Sequence, residues 1–467
     1  RKEEVVIDDA QTYIPSFDNK KLLLVHRGKL AITDIKPGMK MDKPLATENV
    51  EIMVNPREEW KQIFNDAWRF QRDMFYAKNL HGVDWELMRK QYGAQIDDAI
   101  SRDDVNFILG ELIAELNTSH TYRGGGDVEQ PLQRGVGLLG ADYQLANGAF
   151  RISRIIDGGA WDSEVRSPLR VPGVNVKDGD YILAVNGNPL DTSKDPYAAF
   201  QGLAGTTVSL TVNSSPNLSG SRSVLVETLT PQQEARLRNL AWIEAKRAYV
   251  EKKTNGRVGY IFVPSTGIDG QTELFRMYAG QWTKDALIVD ERFNNGGQIP
   301  DRFVELLARP RYNYWGVRDG ADWAWPPGAH EGPKVMLVNE WSGSGGDAFP
   351  FYFKEAGLGP LVGKRTWGGL VGISGAPQLV DGGSVTVPTF GIYSKDGKWI
   401  IENEGVRPDY EVEDDPSRML NGGDPQLDKA IELALEQLRS KPPVRPKRPA
   451  DPDRAHPKAK KTVVTDS

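Results

Sequence analysis

Ser344 lies in the run V-M-L-V-N-E-W-S-G-S-G-G-D-A-F-P (335–350), where a short apolar strand ends in a small-residue turn and a helix begins. Such a turn lifts a hydroxyl off the end of a sheet, and the first N–H groups of the helix behind it face an anion forming on a substrate carbonyl. The chemistry suggested is acyl transfer to serine, which needs a base to take the hydroxyl proton. The chain has no cysteine and five histidines, so thiolate catalysis is excluded and imidazole is the natural base near neutral pH. His26 falls in a predicted hairpin turn, His81 and His330 in predicted loops, and His456 in a proline-rich tail. His120 follows Ser119 at the end of an amphipathic run, where a side chain leaves a helical bundle to face a neighbouring domain. As general base it would give an acidic limb with a pKa of about 6 to 7.5.

A second loop, Glu291-Arg292-Phe293-Asn294-Asn295-Gly296-Gly297, follows the strand A-L-I-V-D. The N–H of Gly296 or Gly297, paired with that of Gly345, would make a two-donor oxyanion hole. Because that role rests on backbone, proline at 345 should remove the donor, whereas alanine or aspartate should keep it.

The elements that position these residues follow from length and patterning. The chain has 467 residues, 39% of them hydrophobic, and a net charge of −6. That is enough for about three domains, with no global electrostatic case for nucleic acid. No apolar run reaches the ~20 residues that span a bilayer. The chain opens on Arg1 in strand-like sequence, so it reads as the C-terminal piece of something longer, and the N-terminus carries no address. A multidomain α+β organisation is expected. Residues 1–52 hold two or three strands with a turn at Arg27-Gly28, too few to stand alone. Residues 53–128 hold three amphipathic helices (56–78, 83–98, 102–117), the first announced by Asn55-Pro56-Arg57-Glu58. Residues 129–229 are β-rich and glycine-rich. Residues 230–440 alternate strands and helices as an α/β layer, which binds ligands at the C-terminal ends of its strands. Residues 441–467 form a basic Pro- and Lys-rich tail expected to be disordered.

The third segment resembles a PDZ domain in G-V-G-L-L-G, D-G-D-Y-I-L-A-V-N-G and a closing strand pair. That resemblance implies a peptide laid along a sheet edge, its carboxylate held by the loop Gly137, Leu138, Leu139 and Gly140.

Together the D-x-R-x-N-x-G-G loop (290–297), the S-G-S-x-G-D turn (342–347) and G-L-G-P-L-V-G-K-R-T-W-G-G-L-V-G-I (357–373) resemble the tail-specific and tricorn peptidase family. The resemblance covers about 55–415 and implies a ClpP- or crotonase-like catalytic domain, with residues 1–52 the end of a truncated β-propeller. One branch, the C-terminal processing proteases, uses a lysine in G-K-x-T-x-G-K-G; that position is Gly369 here. The tricorn branch is therefore indicated. It implies Ser344 as nucleophile, His120 as base, Ser119 as assisting hydroxyl and Glu402, with Glu404 the alternative, as acidic orienter. It further implies peptide substrates, a homo-hexamer, aminopeptidases downstream, no metal or cofactor, and a cytoplasmic location, with periplasmic or secreted as the alternative. Tricorn proteases have an Asp after the nucleophile and another that selects a basic side chain. Gly345 replaces the first, and Asp319 or Asp322 in the aromatic loop 310–330 stands for the second. The competing readings are a C-terminal processing protease and an inactive PDZ scaffold.

Overall fold

The computed structural model describes residues 3–455, apart from Asp42, Glu48, Asn49, Ala160, Ser163, Asn421, Arg445 and Asp453. His456 and the end of the predicted tail lie outside the described residues.

The chain divides into two units, 1–63 and 64–467. The first holds an antiparallel sheet of β1 (Thr12–Pro15), β2 (Lys21–His26) and β3 (Lys29–Asp34). Arg27 and Gly28 both take positive φ, 50° and 73°, the conformation that a two-residue hairpin loop demands. The V-V-I-D-D run at 5–9 is not a strand.

Helix α1 (Pro56–Met74) is followed by α2 (Trp85–Gly93) and α3 (Arg102–Ala114). Trp68 and Trp85 donate their indole N–H groups to each other's carbonyl, at 2.9 and 3.0 Å, which fastens α2 to the preceding helix. Ser101 and Asp104 cap α3 reciprocally, and Val105, Leu109, Leu112 and Leu116 are fully buried, as the helical periodicity requires. The chain leaves α3 through Asn117 and His120, both at positive φ.

Residues 137–229 form an antiparallel sheet of β4 (Ala141–Ala146), β5 (Ala149–Ile155), β6 (Tyr181–Val185), β7 (Thr207–Asn213) and β8 (Arg222–Glu227), in the order β8-β7-β6-β5-β4. Its edge strands are β8 and β4. Helix α4 (Pro231–Lys253) leads from this sheet into β9 (Val258–Phe262).

The largest domain is a parallel sheet: β9, β10 (Ala286–Asp290), β11 (Lys334–Val338), β12 (Leu361–Gly363) and β13 (Tyr410–Glu411), in that order. Every residue of β9, β10 and β11 is buried, because helices cover both faces of such a sheet. The helices are α5 (Ile268–Ala279), α6 (Pro300–Leu307), α7 (Gly345–Glu355) and α8 (Pro425–Ser440). The loops after β9, β10, β11 and β12 emerge together at the C-terminal edge.

Candidate active site

The turn after β11 holds Ser344 at φ 59°, ψ −118°, a conformation that costs a non-glycine residue about 1–3 kcal/mol. Its surroundings hold it there. The Asp347 carboxylate, fully buried in the first turn of α7, accepts from the N–H of Ser344 at 2.8 Å, of Gly368 at 2.8 Å and of Gly369 at 3.1 Å, and from the Thr366 hydroxyl at 2.5 Å. Burial pushes the Asp347 pKa up, against those four bonds. Asp347 was not singled out from sequence, although Ser344-x-x-Asp347 is the spacing of a carboxylate reaching back to a helix start.

His120 comes to this turn from the helical region. Residues 123–124 pair antiparallel with 384–385, and the Thr386 hydroxyl donates to the His120 carbonyl and accepts from the Tyr122 N–H. Behind it Arg102 Nε donates to Asp381 at 2.6 Å, with both side chains at 3% exposure or less. The imidazole lies 23° from parallel to the Trp367 ring, centroids 5.9 Å apart.

The result is a continuous chain of polar atoms. Ser344 Oγ is 3.0 Å from His120 Nε2, His120 Nδ1 is 3.2 Å from Ser119 Oγ, and Ser119 Oγ donates to Glu402 Oε2 at 3.0 Å. Glu402 also accepts from the Ser119 N–H at 2.6 Å, the Leu370 N–H at 2.7 Å and the Thr118 hydroxyl at 3.2 Å. Its neighbours Ile401 and Asn403 have φ of 72° and 62°, so strained backbone clusters around the site. Glu404 makes none of these contacts. Burial lowers the His120 pKa below its usual 6.5, with the Glu402 charge opposing.

Two other histidines are committed elsewhere. His81 bonds the Tyr76 hydroxyl at 2.7 Å and the Leu116 carbonyl at 2.8 Å, and His330 is buried on the Lys284 carbonyl with its pKa lowered to about 3 by burial. Lys364 pairs with Glu411 and Glu413 at 2.9 and 2.6 Å.

The glycine loop meets the Ser344 turn: a Cβ on Gly296, at φ 93°, would sit 2.7 Å from Ser344 Cβ. The Gly296 N–H is spent on Asn294 Oδ1 at 2.9 Å, which removes it as an oxyanion donor. The N–H groups of Gly297 and Gly345 have no internal partner among the described residues. A Cβ on Gly345 would overlap Thr266 Oγ1 and the Gly297 carbonyl, so alanine or aspartate there keeps the N–H but forces the two loops apart. The loop itself is anchored by Arg292, 2% exposed, which donates to Asp290 at 2.7 Å and to Asp424 at 3.0 Å. The arginine of D-x-R-x-N-x-G-G is therefore scaffold.

A cleft of about 700 Å³ opens beside Ser344, Gly297 and Gly345, and its walls are Tyr352, Leu370, Ile373, Phe390 and Ile392. Among the described residues no carboxylate lines it. Asp319 lies in the turn of the aromatic hairpin 313–325, away from that lining. Asp322 accepts from the Val317 N–H at 3.1 Å and lies 3.5 Å from Arg448. The predicted acidic selector is thus not in the cleft. The PDZ-like loop also departs from expectation. Gly137, Leu138 and Gly140 donate their N–H groups internally, to the Phe200 carbonyl, the Leu229 carbonyl and Glu234 Oε2.

A parallel α/β sheet with a serine at a strained strand-to-helix turn and an imidazole beside it defines a serine hydrolase. Comparison with known proteins gives the particular family. Residues 56–114 match the tricorn protease C1 domain, 137–231 the tricorn protease PDZ domain and 257–412 peptidase family S41. Tricorn protease homolog 1 of Streptomyces coelicolor is 38% identical over 445 residues, 93% of this chain and 41% of that protein. Tricorn protease of Thermoplasma volcanium is 33% identical over 85% of this chain and 38% of its own length. The crystal structure of the tricorn protease superposes with a TM-score of 0.84 at 29% identity, covering 92% of this chain and 42% of that one. The chain belongs to the serine peptidases of family S41, with the domains of the C-terminal part of tricorn proteases. It spans 38% to 51% of the length of its tricorn relatives. Among the described residues no helix is long and apolar enough to cross a membrane.

Proposed function

We propose that the chain is a serine endopeptidase that cleaves oligopeptides or unfolded segments through an acyl-enzyme on Ser344. The observation that carries this reading is the 3.0 Å contact of Ser344 Oγ with His120 Nε2, backed by Ser119 and Glu402. With Nδ1–H donating to Ser119 Oγ, Nε2 is free to accept the Ser344 proton as Oγ attacks the peptide carbonyl carbon. The oxyanion that forms is held by the N–H groups of Gly345 and Gly297. The imidazolium returns the proton to the leaving amine as the C–N bond breaks, leaving an ester on Ser344. Water, activated by the same imidazole, then hydrolyses the ester and restores the serine. Glu402 acts on His120 through Ser119, opposing the loss of imidazolium character that burial imposes.

The apolar cleft beside the nucleophile supports an apolar or aromatic residue on the acyl side of the cut bond, since an unpaired charge there would be desolvated without compensation. The C-terminal processing reading is disfavoured by Gly369, which stands where that branch carries its catalytic lysine, while the nearby Lys364 is engaged by Glu411 and Glu413. A homo-hexamer in the cytoplasm, its products passed to aminopeptidases, is proposed on the family resemblance; light scattering giving a monomer would count against the assembly. The test of the chemistry is hydrolysis of a fluorogenic peptide by the His120→Ala and Lys364→Ala variants. Loss in the first alone supports the proposal, and loss in the second alone would return the processing-protease reading.

A further inference from the structure

A PDZ loop binds a peptide C-terminus because consecutive backbone N–H groups point into an empty cradle beside an edge strand. Here a carboxylate already sits in it. Gly140 donates its N–H at 2.7 Å to Oε2 of Glu234, a residue in the first turn of α4 that is only 5% exposed. Gly137 and Leu138 are satisfied by the Phe200 and Leu229 carbonyls at 2.9 and 3.0 Å, and Leu139 is 1% exposed. The acid is locked from its other side. Arg238, one turn along α4, donates from Nε to Glu234 Oε1 at 2.8 Å, from Nη1 to Asp142 Oδ1 at 2.7 Å and from Nη2 to the Ala141 carbonyl at 3.1 Å. The same guanidinium thus clamps both the carboxylate and the start of the edge strand β4. Leu237, fully buried on the next position of that helix face, packs against Gly140. Across the cleft beside β4, Tyr143 and Tyr197 meet edge to face with centroids 5.9 Å apart.

A buried carboxylate that spans a loop N–H and a guanidinium is a costly group to displace, because leaving either partner unpaired incurs its full desolvation penalty. We propose that Glu234 is the internal ligand of the PDZ-like module. Its carboxylate takes the place of a peptide C-terminus, so the module does not select substrates by their terminal carboxylate and serves to fix α4, and with it the peptidase sheet, to the β domain. The consequence for cleavage rests on the peptidase reading above; the consequence for binding does not.

The binding test uses the Ser344→Ala chain, so that catalysis plays no part. A fluorescein-labelled hexapeptide ending in Val-Leu is titrated as the free acid and as the C-terminal amide, with fluorescence polarisation as readout. The unmodified module and its Glu234→Gln form, in which the cradle stays filled, should show no preference between the two. Glu234→Ala, in which it is vacated, should bind the free acid at least about tenfold tighter than the amide, the discrimination expected when a charge-assisted bond is made or missing. Should Glu234→Ala be unstable, its melting temperature in acetate against acetamide gives the second readout: a rise in acetate alone supports a vacated carboxylate site. A tenfold preference for the free acid with Glu234 in place would overturn the proposal. So would a folded Glu234→Ala form that neither prefers the free acid nor responds to acetate.

Discussion

Glu402 accepts both the hydroxyl and the backbone N–H of Ser119, at 3.0 and 2.6 Å, and meets His120 only through that serine. The acid therefore influences the base through its charge and through a hydroxyl relay. Burial lowers the His120 pKa and the Glu402 charge opposes that fall. Replacing Glu402 by glutamine removes the opposing charge, so the acidic limb of kcat/KM should move to still lower pH while the rate drops by about 10²-fold or more. A limb that moves to higher pH would contradict the assigned electrostatics. Ser119→Ala, which keeps the charge and cuts the relay, should lower the rate with a smaller displacement of the limb.

Gly345 has its space taken by Thr266 and Gly297. Gly345→Ala should thus behave as a disruptive change, displacing the donor pair and lowering kcat by about 10²- to 10³-fold, the usual effect of losing one oxyanion donor. KM should change much less. Kinetics with a p-nitroanilide peptide and a thermal melt separate this from global unfolding. An alanine variant with near-native kcat would place the oxyanion donors elsewhere.

The Arg102–Asp381 pair holds the segment that delivers His120. Breaking one partner of a buried pair costs about 3–5 kcal/mol, and Asp381→Asn should lower both stability and activity accordingly. Burial alone would raise the Asp381 pKa, but bonds from Arg102, Gly383 and Asp127 outweigh it and hold the carboxyl below its usual range. For a depressed carboxylate the stabilisation is present above the unfolded value of about 3.9 and is lost as pH falls through the folded one. Urea melts should therefore show the gap between the parent chain and Asp381→Asn at neutral pH narrowing below about pH 4. A gap independent of pH would mean that the ion pair contributes nothing.

Cleft chemistry sets the expected substrate preference. Peptides carrying Phe or Leu on the acyl side of the scissile bond should exceed those carrying Arg or Lys by about tenfold or more in kcat/KM. Enlarging the wall residue Ala348 to leucine, within the same cleft, should reverse the order of Phe and Ala substrates. A preference for Arg in the parent chain would show that an acid from outside this lining completes the site.

Ser344 and His120 were legible because their signals are local: a strand, a small-residue turn and a helix for one, and scarcity plus a helix end for the other. The D-x-R-x-N-x-G-G loop was legible as a loop, but the division of labour inside it was not. Nothing local says that Asn294 consumes the Gly296 N–H or that Arg292 is buried on Asp424, which is 132 positions away. The same holds for Arg102 and Asp381, 279 positions apart, and for Glu234 in the PDZ-like loop, since the partners of a buried charge are set by packing between domains. Asp319 offers a charge in the sequence but no position, and charge without a position does not define a selector.

The central claim is that Ser344 is a nucleophile activated by His120. A fluorophosphonate probe phosphonylates a serine only when a base activates it, and digestion followed by mass spectrometry locates the adduct. The account predicts one labelled peptide containing Ser344, labelling lost in Ser344→Ala and slowed by about 10²-fold or more in His120→Ala. An adduct on another serine, or undiminished labelling of the folded His120→Ala variant, would contradict it.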